Sequence, residues 1–315
     1  MQFLEFEKPI VELENKIEAL LNSNLGNSSI KKEMLSLKKN LSNIMKKIYG
    51  SLTDWEIIQL ARHPERPYFL DLLNNIFSDF QELHGDRLFA DDKAVIGGMA
   101  KLGTQTVMVI GQEKGRKTKD KIRHNFGMMH PEGYRKALRL MKLAEKFNMP
   151  VITFIDTPGA YPGVQAEERG QSEAIARNLL KMATLNVPII CLIIGEGCSG
   201  GALGIGVGDR LMMLEYSYFA TISPEGCASI LWKTAKKASH AAKIMGITSK
   251  RLQSLKIIDD VIEEPLGGAH RDPQGMALNI KNSLIKEMNF LLSLDVQTLK
   301  SSRYKKLVSF GSVLK

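Results

Sequence analysis

The segment IICLIIGEGCSGGALGIGVG, residues 189–208, combines glycines and a serine at spacings that three kinds of active site share. Gly195 to Gly200 fits G-x-G-x-x-G, the dinucleotide-binding motif. Gly197 to Gly201 fits G-x-S-x-G, the nucleophile elbow of serine hydrolases. The adjacent pair Gly200 and Gly201 also offers backbone N–H groups to a developing oxyanion, at a predicted helix start. Residues elsewhere in the chain must therefore decide among three chemistries.

The first two motifs each have one supporting feature and one difficulty. Glu215 follows at the distance expected of a ribose-binding carboxylate, but a Rossmann unit usually begins its domain, and here another strand and loop come first. In a hydrolase, Ser199 must be followed by an acid and then by a histidine. Asp259 or Asp260 and then His270 have this order, although His270 is predicted to lie in a surface loop. Both interpretations stay open as alternatives.

A second junction between a strand and a loop favours the oxyanion interpretation. An apolar run ends at Asp156 and continues as Thr-Pro-Gly-Ala-Tyr-Pro-Gly. Loops at the carboxyl ends of neighbouring parallel strands lie side by side, so the N–H groups of Gly159 and Ala160 are expected near those of Gly200 and Gly201. Such donors stabilise an enolate or a tetrahedral oxyanion by about 3 kcal/mol each. The alternative is that these glycines only permit close helix–strand packing.

A basic segment follows the strand predicted over residues 106–111. Its cationic residues are Lys114, Arg116, Lys117, Lys119, Lys121 and Arg123. Arginine and lysine side chains both bind phosphate, so we predict a phosphate site here, with a solvated charged surface as the alternative. Aromatic residues are not interleaved with these charges, and binding of single-stranded nucleic acid is therefore not indicated.

Composition limits the class of protein. The chain has 315 residues, of which 44% are hydrophobic and 24% charged, as in a globular protein with a large core. No apolar run approaches the ~20 residues of a membrane helix, and the first residues lack a signal-peptide pattern. Three cysteines without C-x-x-C spacing predict neither disulfides nor a structural zinc site. They predict a reducing compartment, for which the cytoplasm is the simplest choice. The net charge of +9 suits phosphate-bearing ligands or an acidic partner.

Hydrophobic periodicity predicts an α/β core between helical ends. Apolar residues at steps of three and four predict an antiparallel helical hairpin before residue 50, with its turn at residues 22–29. The other predicted elements are strands over 94–100, 106–111, 151–156, 187–194 and 211–215 and helices over 131–147, 167–185, 272–294 and 296–307. Alternation of strand, loop and helix predicts parallel strands with functional residues at their carboxyl ends.

Ten blocks of sequence, in order along nearly the whole chain, connect it to a known family. They lie at residues 61–68, 85–87, 90–93, 125–128, 131–139, 155–163, 167–176, 204–209, 222–232 and 265–271. In these blocks the chain resembles the α subunits of bacterial and plastid acetyl-CoA carboxylase carboxyltransferases, which are members of the crotonase-like superfamily. Cys198 departs from the family pattern, because glycine is expected at this position.

The resemblance implies an α/β fold in three parts. A helical region at 1–84 contains the hairpin, a crotonase-like (ClpP/crotonase) ββα superhelix core occupies 85–271, and helices occupy 272–315. It also implies transfer of a carboxyl group from N1′ of carboxybiotin, carried on the biotin carboxyl carrier protein, to acetyl-CoA, with malonyl-CoA as the product. A subunit of this complex whose glycine loops only pack, without catalysis, is a further alternative.

The resemblance assigns roles to particular residues and partners. The amides of Gly200 and Gly201 would hold the biotin carbonyl oxygen, facing those of Gly159 and Ala160. A β subunit would supply the other half of the site and a zinc ribbon, in an α2β2 assembly that works with biotin carboxylase. This chain itself would hold no metal and no covalent cofactor. Residues expected to contact CoA or biotin are Lys114, Arg116, Lys117, Arg123, Phe126 and Tyr161.

Overall fold

The computed structural model describes residues 2–23 and 28–311. The strands are β1 (Ser78–Glu82), β2 (Val95–Leu102), β3 (Gln105–Gln112), β4 (Val151–Thr157), β5 (Ile189–Cys198), β6 (Arg210–Leu214), β7 (Tyr218–Ala220) and β8 (Asp260–Ile262). The helices are α1 (Lys8–Ser23), α2 (Ser28–Tyr49), α3 (Asp54–Ala61), α4 (Phe69–Ile76), α5 (Thr118–Arg123), α6 (Pro131–Lys146), α7 (Val164–Glu168), α8 (Gln171–Thr184), α9 (Ser199–Leu203), α10 (Pro224–Trp232), α11 (Ala238–Met245), α12 (Ser249–Ser254), α13 (Pro273–Leu292) and α14 (Val296–Ser309).

One eight-stranded sheet forms the centre of the described chain. Its order is β1-β2-β3-β4-β5-β6-β8, and β7 pairs with the last residues of β5. The first three strands are antiparallel, which confirms the predicted pairing of residues 94–100 with 106–111. Strands β3 to β6 and β8 are parallel, as the alternation of strands and helices predicted. The carboxyl ends of β3, β4 and β5 therefore lie together at one edge of the sheet.

Hydrophobic side chains cover both faces of this sheet. Phe154 of β4 lies in a buried cluster with Phe69 of α4 and Ile280 of α13. The next residue, Ile155, lies in a second cluster with Leu140 of α6. Successive side chains of a strand point to opposite faces, so a strand covered on both faces is apolar throughout. This burial holds the ends of β4 and β5 in fixed positions.

Most predicted elements are confirmed, and two differ. The helices predicted over 131–147, 272–294 and 296–307 are α6, α13 and α14. The helix predicted over 167–185 is two helices, because Gly170 between α7 and α8 has a left-handed φ of 81°. The prediction of a glycine loop from Gly195 onward was wrong for its first half, because β5 continues to Cys198.

The N-terminal helices pack against the core. Ile10 of α1 and Tyr49 of α2 are buried in one cluster with Leu60 and Tyr216. The predicted turn of this hairpin lies partly outside the described residues. Strand β1 pairs with β2 and carries the sheet across the domain boundary predicted at residue 84. Within the described residues, no helix is long and apolar enough to cross a membrane.

Glu7 anchors the segment that precedes α1. Its Oε1 accepts a hydrogen bond from the Tyr49 hydroxyl at 2.8 Å. The same oxygen lies 3.2 Å from His270 Nε2 and 3.2 Å from Arg271 Nε. Burial alone would raise the pKa of Glu7, but the hydrogen bonds that it accepts lower this pKa to about 2. His270 is buried, and its ring stacks on His63, so the prediction of a surface loop at His270 was wrong.

Candidate active site

Strand β5 bends where it reaches the carboxyl edge of the sheet. Its residues up to Ile193 pair with β6, and its last residues pair with β7. The register with β4 shifts between the pair Ile155–Ile193 and the pair Thr157–Gly197, which produces a bulge beside Asp156. Bulges redirect side chains and are frequent next to active sites. The bulge turns the end of β5 toward the loop that follows β4.

The two glycine segments meet at the backbone of Gly201. A Cβ atom on Gly201 would lie 2.7 Å from the amide nitrogen of Ala160, and closer still to the carbonyl carbon of Gly159. Side-chain carbons essentially never approach backbone atoms this closely, so the close approach requires glycine. The structure thus brings together the loops that the sequence predicted to be neighbours.

Three of the four predicted donor groups have no acceptor within the described residues. Gly200 and Gly201 lie in the first turn of α9, where N–H groups have no partner in the helix. The N–H of Ala160 likewise has no acceptor among the residues that the structure describes. The N–H of Gly159 differs, because it donates to Thr157 Oγ1 at 3.1 Å. The donors available to a ligand are therefore those of Ala160, Gly200 and Gly201.

Lys114 lies between two carboxylates at the bulge. Its Nζ is 2.6 Å from Asp156 Oδ1 and 2.6 Å from Glu196 Oε2. Burial lowers the pKa of Lys114, but the two carboxylates more than offset this and raise the pKa above its ordinary value. Burial also disfavours the charge of Glu196, yet Lys114 and Arg62 lower the pKa of Glu196 to about 2. The cation that the sequence assigned to substrate binding is thus already paired within the chain.

Arg62 and Tyr218 extend this charged group, and sequence reasoning missed both. Arg62 Nε donates to Glu196 Oε1 at 2.7 Å, and the Tyr218 hydroxyl donates to the same oxygen at 2.7 Å. A second nitrogen of Arg62 donates to Glu225 at 2.6 Å. The glycine motif contains Glu196, but its partners lie far away in sequence. A buried carboxylate without a cation is costly, so burial of Glu196 at the end of a strand would by itself indicate cationic partners elsewhere in the chain.

A cavity of about 200 Å³ opens beside the charged group. Its lining residues are Arg62, Tyr68, Lys114, Lys121, Phe126, Pro158 and Glu196. Phe126 is 46% exposed and has a left-handed φ of 56°, between Asn125 at 47° and Gly127 at 80°. A non-glycine residue in this region costs roughly 1–3 kcal/mol, and such strain clusters at ligand sites. Pro158, which lines the cavity, is two residues before Ala160 in the loop that follows β4.

The other predicted contact residues occupy different environments. Arg116 pairs with Asp71, and its guanidinium lies over the Tyr68 ring at 4.4 Å. Lys117 and Arg123 are exposed at the two ends of α5. The Tyr161 ring stacks on His130 at 4.2 Å. Of the basic run, Lys117 and Arg123 thus present their charges to solvent, whereas Lys114 and Arg116 pair with acidic residues.

Ser199 has the backbone but not the partner of a hydrolase nucleophile. Its φ is 54°, and its side chain is exposed at the start of α9. No histidine of the described chain forms a hydrogen bond with it, and His270, the histidine that follows Asp259 and Asp260, is bound to Glu7. Without a base the hydroxyl remains a weak nucleophile. The geometry therefore favours the oxyanion interpretation, which uses the backbone N–H groups, over the hydrolase interpretation, which uses the Ser199 hydroxyl.

Cys198, the departure from the family pattern, fits as a small core residue. It is 1% exposed, its φ of −114° is ordinary for a strand, and it clusters with Ile58, Tyr218 and Ala220. Burial raises the pKa of its thiol to about 11. This position therefore does not require glycine, and cysteine fits there with an ordinary strand conformation.

Replacing Cys198 with glycine is expected to lower the free energy of unfolding by about 1–3 kcal/mol. The folded chain loses the packing of the side chain, and the unfolded chain gains backbone conformational entropy at the glycine. Urea denaturation of native and variant protein measures this change. The protonated, buried thiol is also expected to resist iodoacetamide until the protein unfolds. Rapid alkylation of Cys198 in the folded protein would contradict this account.

Known proteins are similar to this chain over nearly its whole length. The family model of acetyl co-enzyme A carboxylase carboxyltransferase-like proteins matches residues 3–311. The acetyl-coenzyme A carboxylase carboxyl transferase subunit alpha of Francisella tularensis subsp. novicida is 65% identical over 311 residues, which are 99% of this chain and 98% of that protein. The protein of the same description from Francisella tularensis subsp. tularensis strain SCHU S4 is also 65% identical.

Solved structures share the fold at low sequence identity. The β subunit of Pseudomonas aeruginosa geranyl-CoA carboxylase matches with a TM-score of 0.56 and 16% identity, over 80% of this chain and 46% of that chain. Transcarboxylase 12S matches with a TM-score of 0.54 and 18% identity, over 69% and 42%. Together they confirm the predicted crotonase-like α/β fold. Since the family model spans nearly all of the sequence and the relatives match it end to end, the chain belongs to the acetyl co-enzyme A carboxylase carboxyltransferase-like family.

Proposed function

We propose that this chain is the α half of a two-chain carboxyltransferase, which moves a carboxyl group from carboxybiotin on a carrier protein to acetyl-CoA and forms malonyl-CoA. The observation that carries the proposal is the approach of Gly201 to Gly159 and Ala160, which brings together the two segments that contain the available N–H groups. Its relatives at 65% identity are described as acetyl-coenzyme A carboxylase carboxyl transferase subunit alpha, which supports the choice of substrate.

The N–H groups would act on charge that develops during transfer. When the carboxyl group leaves biotin, negative charge builds on the ureido oxygen, and donors already in position stabilise it by about 3 kcal/mol each. Ala160, Gly200 and Gly201 offer such donors. The N–C bond of carboxybiotin breaks to release CO2, and the biotin nitrogen can take the methyl proton of acetyl-CoA. The enolate that forms then attacks CO2, so the reaction requires no protein base. This agrees with a site in which Lys114 and Glu196 are paired with each other.

The second oxyanion, the thioester enolate, would be held by a β subunit. The described residues form one pair of converging glycine segments, and two oxyanions need two such sites. Ile230 and Leu231 of α10 are exposed, and an apolar cavity of about 410 Å³ lies beside Ser199 and Leu203. Apolar surface of this kind favours a protein partner. The remaining proposals are zinc on the β subunit, an α2β2 assembly with biotin carboxylase and its carrier protein, and a cytoplasmic location.

Lys117, Lys121 and Arg123 are the proposed phosphate contacts. Lys121 of α5 lines the cavity, and Lys117 and Arg123 are exposed, the first just before this helix and the second at its end. Cations that point into solvent near a cleft attract phosphate groups of CoA. Lys114 and Arg116 remain proposed substrate neighbours by position, with their charges balanced by acidic residues.

Mixing the chain with its β subunit tests the proposal. Neither chain alone is expected to form malonyl-CoA from acetyl-CoA and carboxybiotin, and the mixture is expected to do so, because each chain holds one oxyanion site. Radiolabelled carboxyl transfer measures the product. Transfer by the isolated chain would overturn the two-chain arrangement. Labelling of Ser199 by a fluorophosphonate would instead favour a hydrolase.

A further inference from the structure

We infer that Gln112 is a positioning residue that fixes the distance between the two glycine segments of the carboxyltransferase site. Gln112 is the last residue of β3 and is fully buried. Its Nε2 donates to the carbonyl oxygen of Gly201 at 2.8 Å. Its Oε1 accepts the N–H of Asp156 at 3.0 Å. The inference rests on the proposed function, because it concerns the geometry of that site.

On one side, Gln112 donates a hydrogen bond to a carbonyl group of the short helix α9 that has no donor within the helix. Hydrogen bonds at the end of α9 run from Gly204 N–H to Gly200 and from Ile205 N–H to Ala202. The carbonyl of Gly201, between these two acceptors, receives the Gln112 amide instead. A buried carbonyl without a donor would cost about 1–3 kcal/mol. The side chain of Gln112 therefore determines where the Gly201 peptide lies.

On the other side, Gln112 extends the pairing of β3 with β4 beyond its last backbone pair. That pairing ends at Gly111 and Phe154, so Asp156 lies past the end of the ladder. Its N–H finds the Gln112 Oε1 there. Asp156 is followed directly by the segment Thr157–Ala160, so this bond fixes the start of the loop that contains Ala160. One planar amide thus connects both segments through two hydrogen bonds.

The surroundings of the amide fix its orientation. Nε2 also lies 3.4 Å from Met129 Sδ, in a buried region. Gln112 has one group that donates and one that accepts, and the two backbone groups need one of each. Gln112 itself touches no reacting atom in this arrangement. It acts through Gly201 and Ala160, whose separation it holds.

Replacing Gln112 with glutamate tests the inference in the complex with the β subunit. A glutamate carboxylate can still accept the Asp156 N–H but repels the Gly201 carbonyl, so we expect kcat to fall by about 100-fold at pH 8, as for a displacement of about 1 Å. The KM for acetyl-CoA is expected to change little. A protonated glutamate can donate again, and burial raises the pKa of a carboxyl group. The ratio of variant to native kcat should therefore rise as the pH falls from 8.5 to 6.

Gln112→Met is the matched control, because it has a similar shape and makes neither bond at any pH. We expect its kcat loss to stay constant over the same range. A pH-independent ratio for Gln112→Glu would overturn the inference, as would native kcat in a folded Gln112→Met complex. If Gln112→Glu fails to fold or to bind the β subunit, kcat of Gln112→Met decides. Absence of transfer by the native complex would refute the proposed function itself, a result separate from these.

Discussion

Replacing Gly201 with alanine is expected to reduce kcat of the assembled carboxyltransferase by at least about 100-fold, the loss seen when an oxyanion donor is removed. The new methyl group would lie 2.7 Å from the amide nitrogen of Ala160 and closer to the carbonyl carbon of Gly159. These backbone atoms cannot rotate away, so the two segments must separate. Radiolabelled malonyl-CoA formation measures kcat, and thermal denaturation checks that the variant folds.

Gly200→Ala is the comparison variant. A methyl group there meets Ile175 Cδ1 at 3.3 Å, and this flexible side chain can shift by a few tenths of an ångström. The backbone N–H is retained in both variants, so the difference between them isolates the contact of Gly201. We expect Gly200→Ala to lose several-fold less activity. Full activity in a folded Gly201→Ala complex would favour the alternative in which the glycines only pack.

Replacing Lys114 with methionine is expected to lower the free energy of unfolding by about 3–5 kcal/mol at pH 7, the usual effect of breaking a buried ion pair. The change leaves Asp156 and Glu196 facing each other without the ammonium group that lies 2.6 Å from each. Urea denaturation of the isolated chain measures the loss. Lys117→Met is the control, since Lys117 is exposed and has no ion pair among the described residues.

The loss of stability caused by Lys114→Met should depend on pH. In the native chain the pKa of Glu196 is about 2, below the value of 4.5 for an unperturbed glutamate. Its contribution to stability is therefore complete above pH 4.5 and disappears as the pH falls toward 2. Without Lys114 the pKa of Glu196 rises, and less stability remains to be lost in acid. The native and variant stabilities should converge between pH 4.5 and 2. A constant difference over this interval would contradict the assignment.

The sequence predicted the meeting of the glycine segments because that meeting follows from local patterns. Two buried strands followed by glycine-rich loops imply parallel neighbours, and parallel neighbours place Ala160 and Gly201 at the same edge. The same reasoning could not predict the ion pairs of Lys114. It assigned this lysine to a basic run expected to bind phosphate, whereas in the structure Lys114 pairs with Glu196 beside the bulge in β5. A register shift depends on tertiary packing, for which the sequence pattern contains no local signal.

Long-range pairs account for most of what was missed. Arg62 reaches Glu196 across 134 residues, and nothing in the spacing of either residue indicates the other. His270 was predicted to be exposed because its neighbours are glycines, yet it is buried against Glu7. Gln112 lies just after the strand predicted over 106–111, and its role is evident only from its contacts with Asp156 and Gly201 in the structure.

The anchor at Glu7 has a consequence for synthesis. Glu7 is synthesised before His270, which follows it by 263 residues. At roughly 5–20 residues per second, the nascent chain must grow for roughly 10–50 s before these partners coexist. During that interval the carboxylate cannot be buried with its charge compensated. The N-terminal segment can therefore complete its anchor only after His270 and Arg271 have been synthesised.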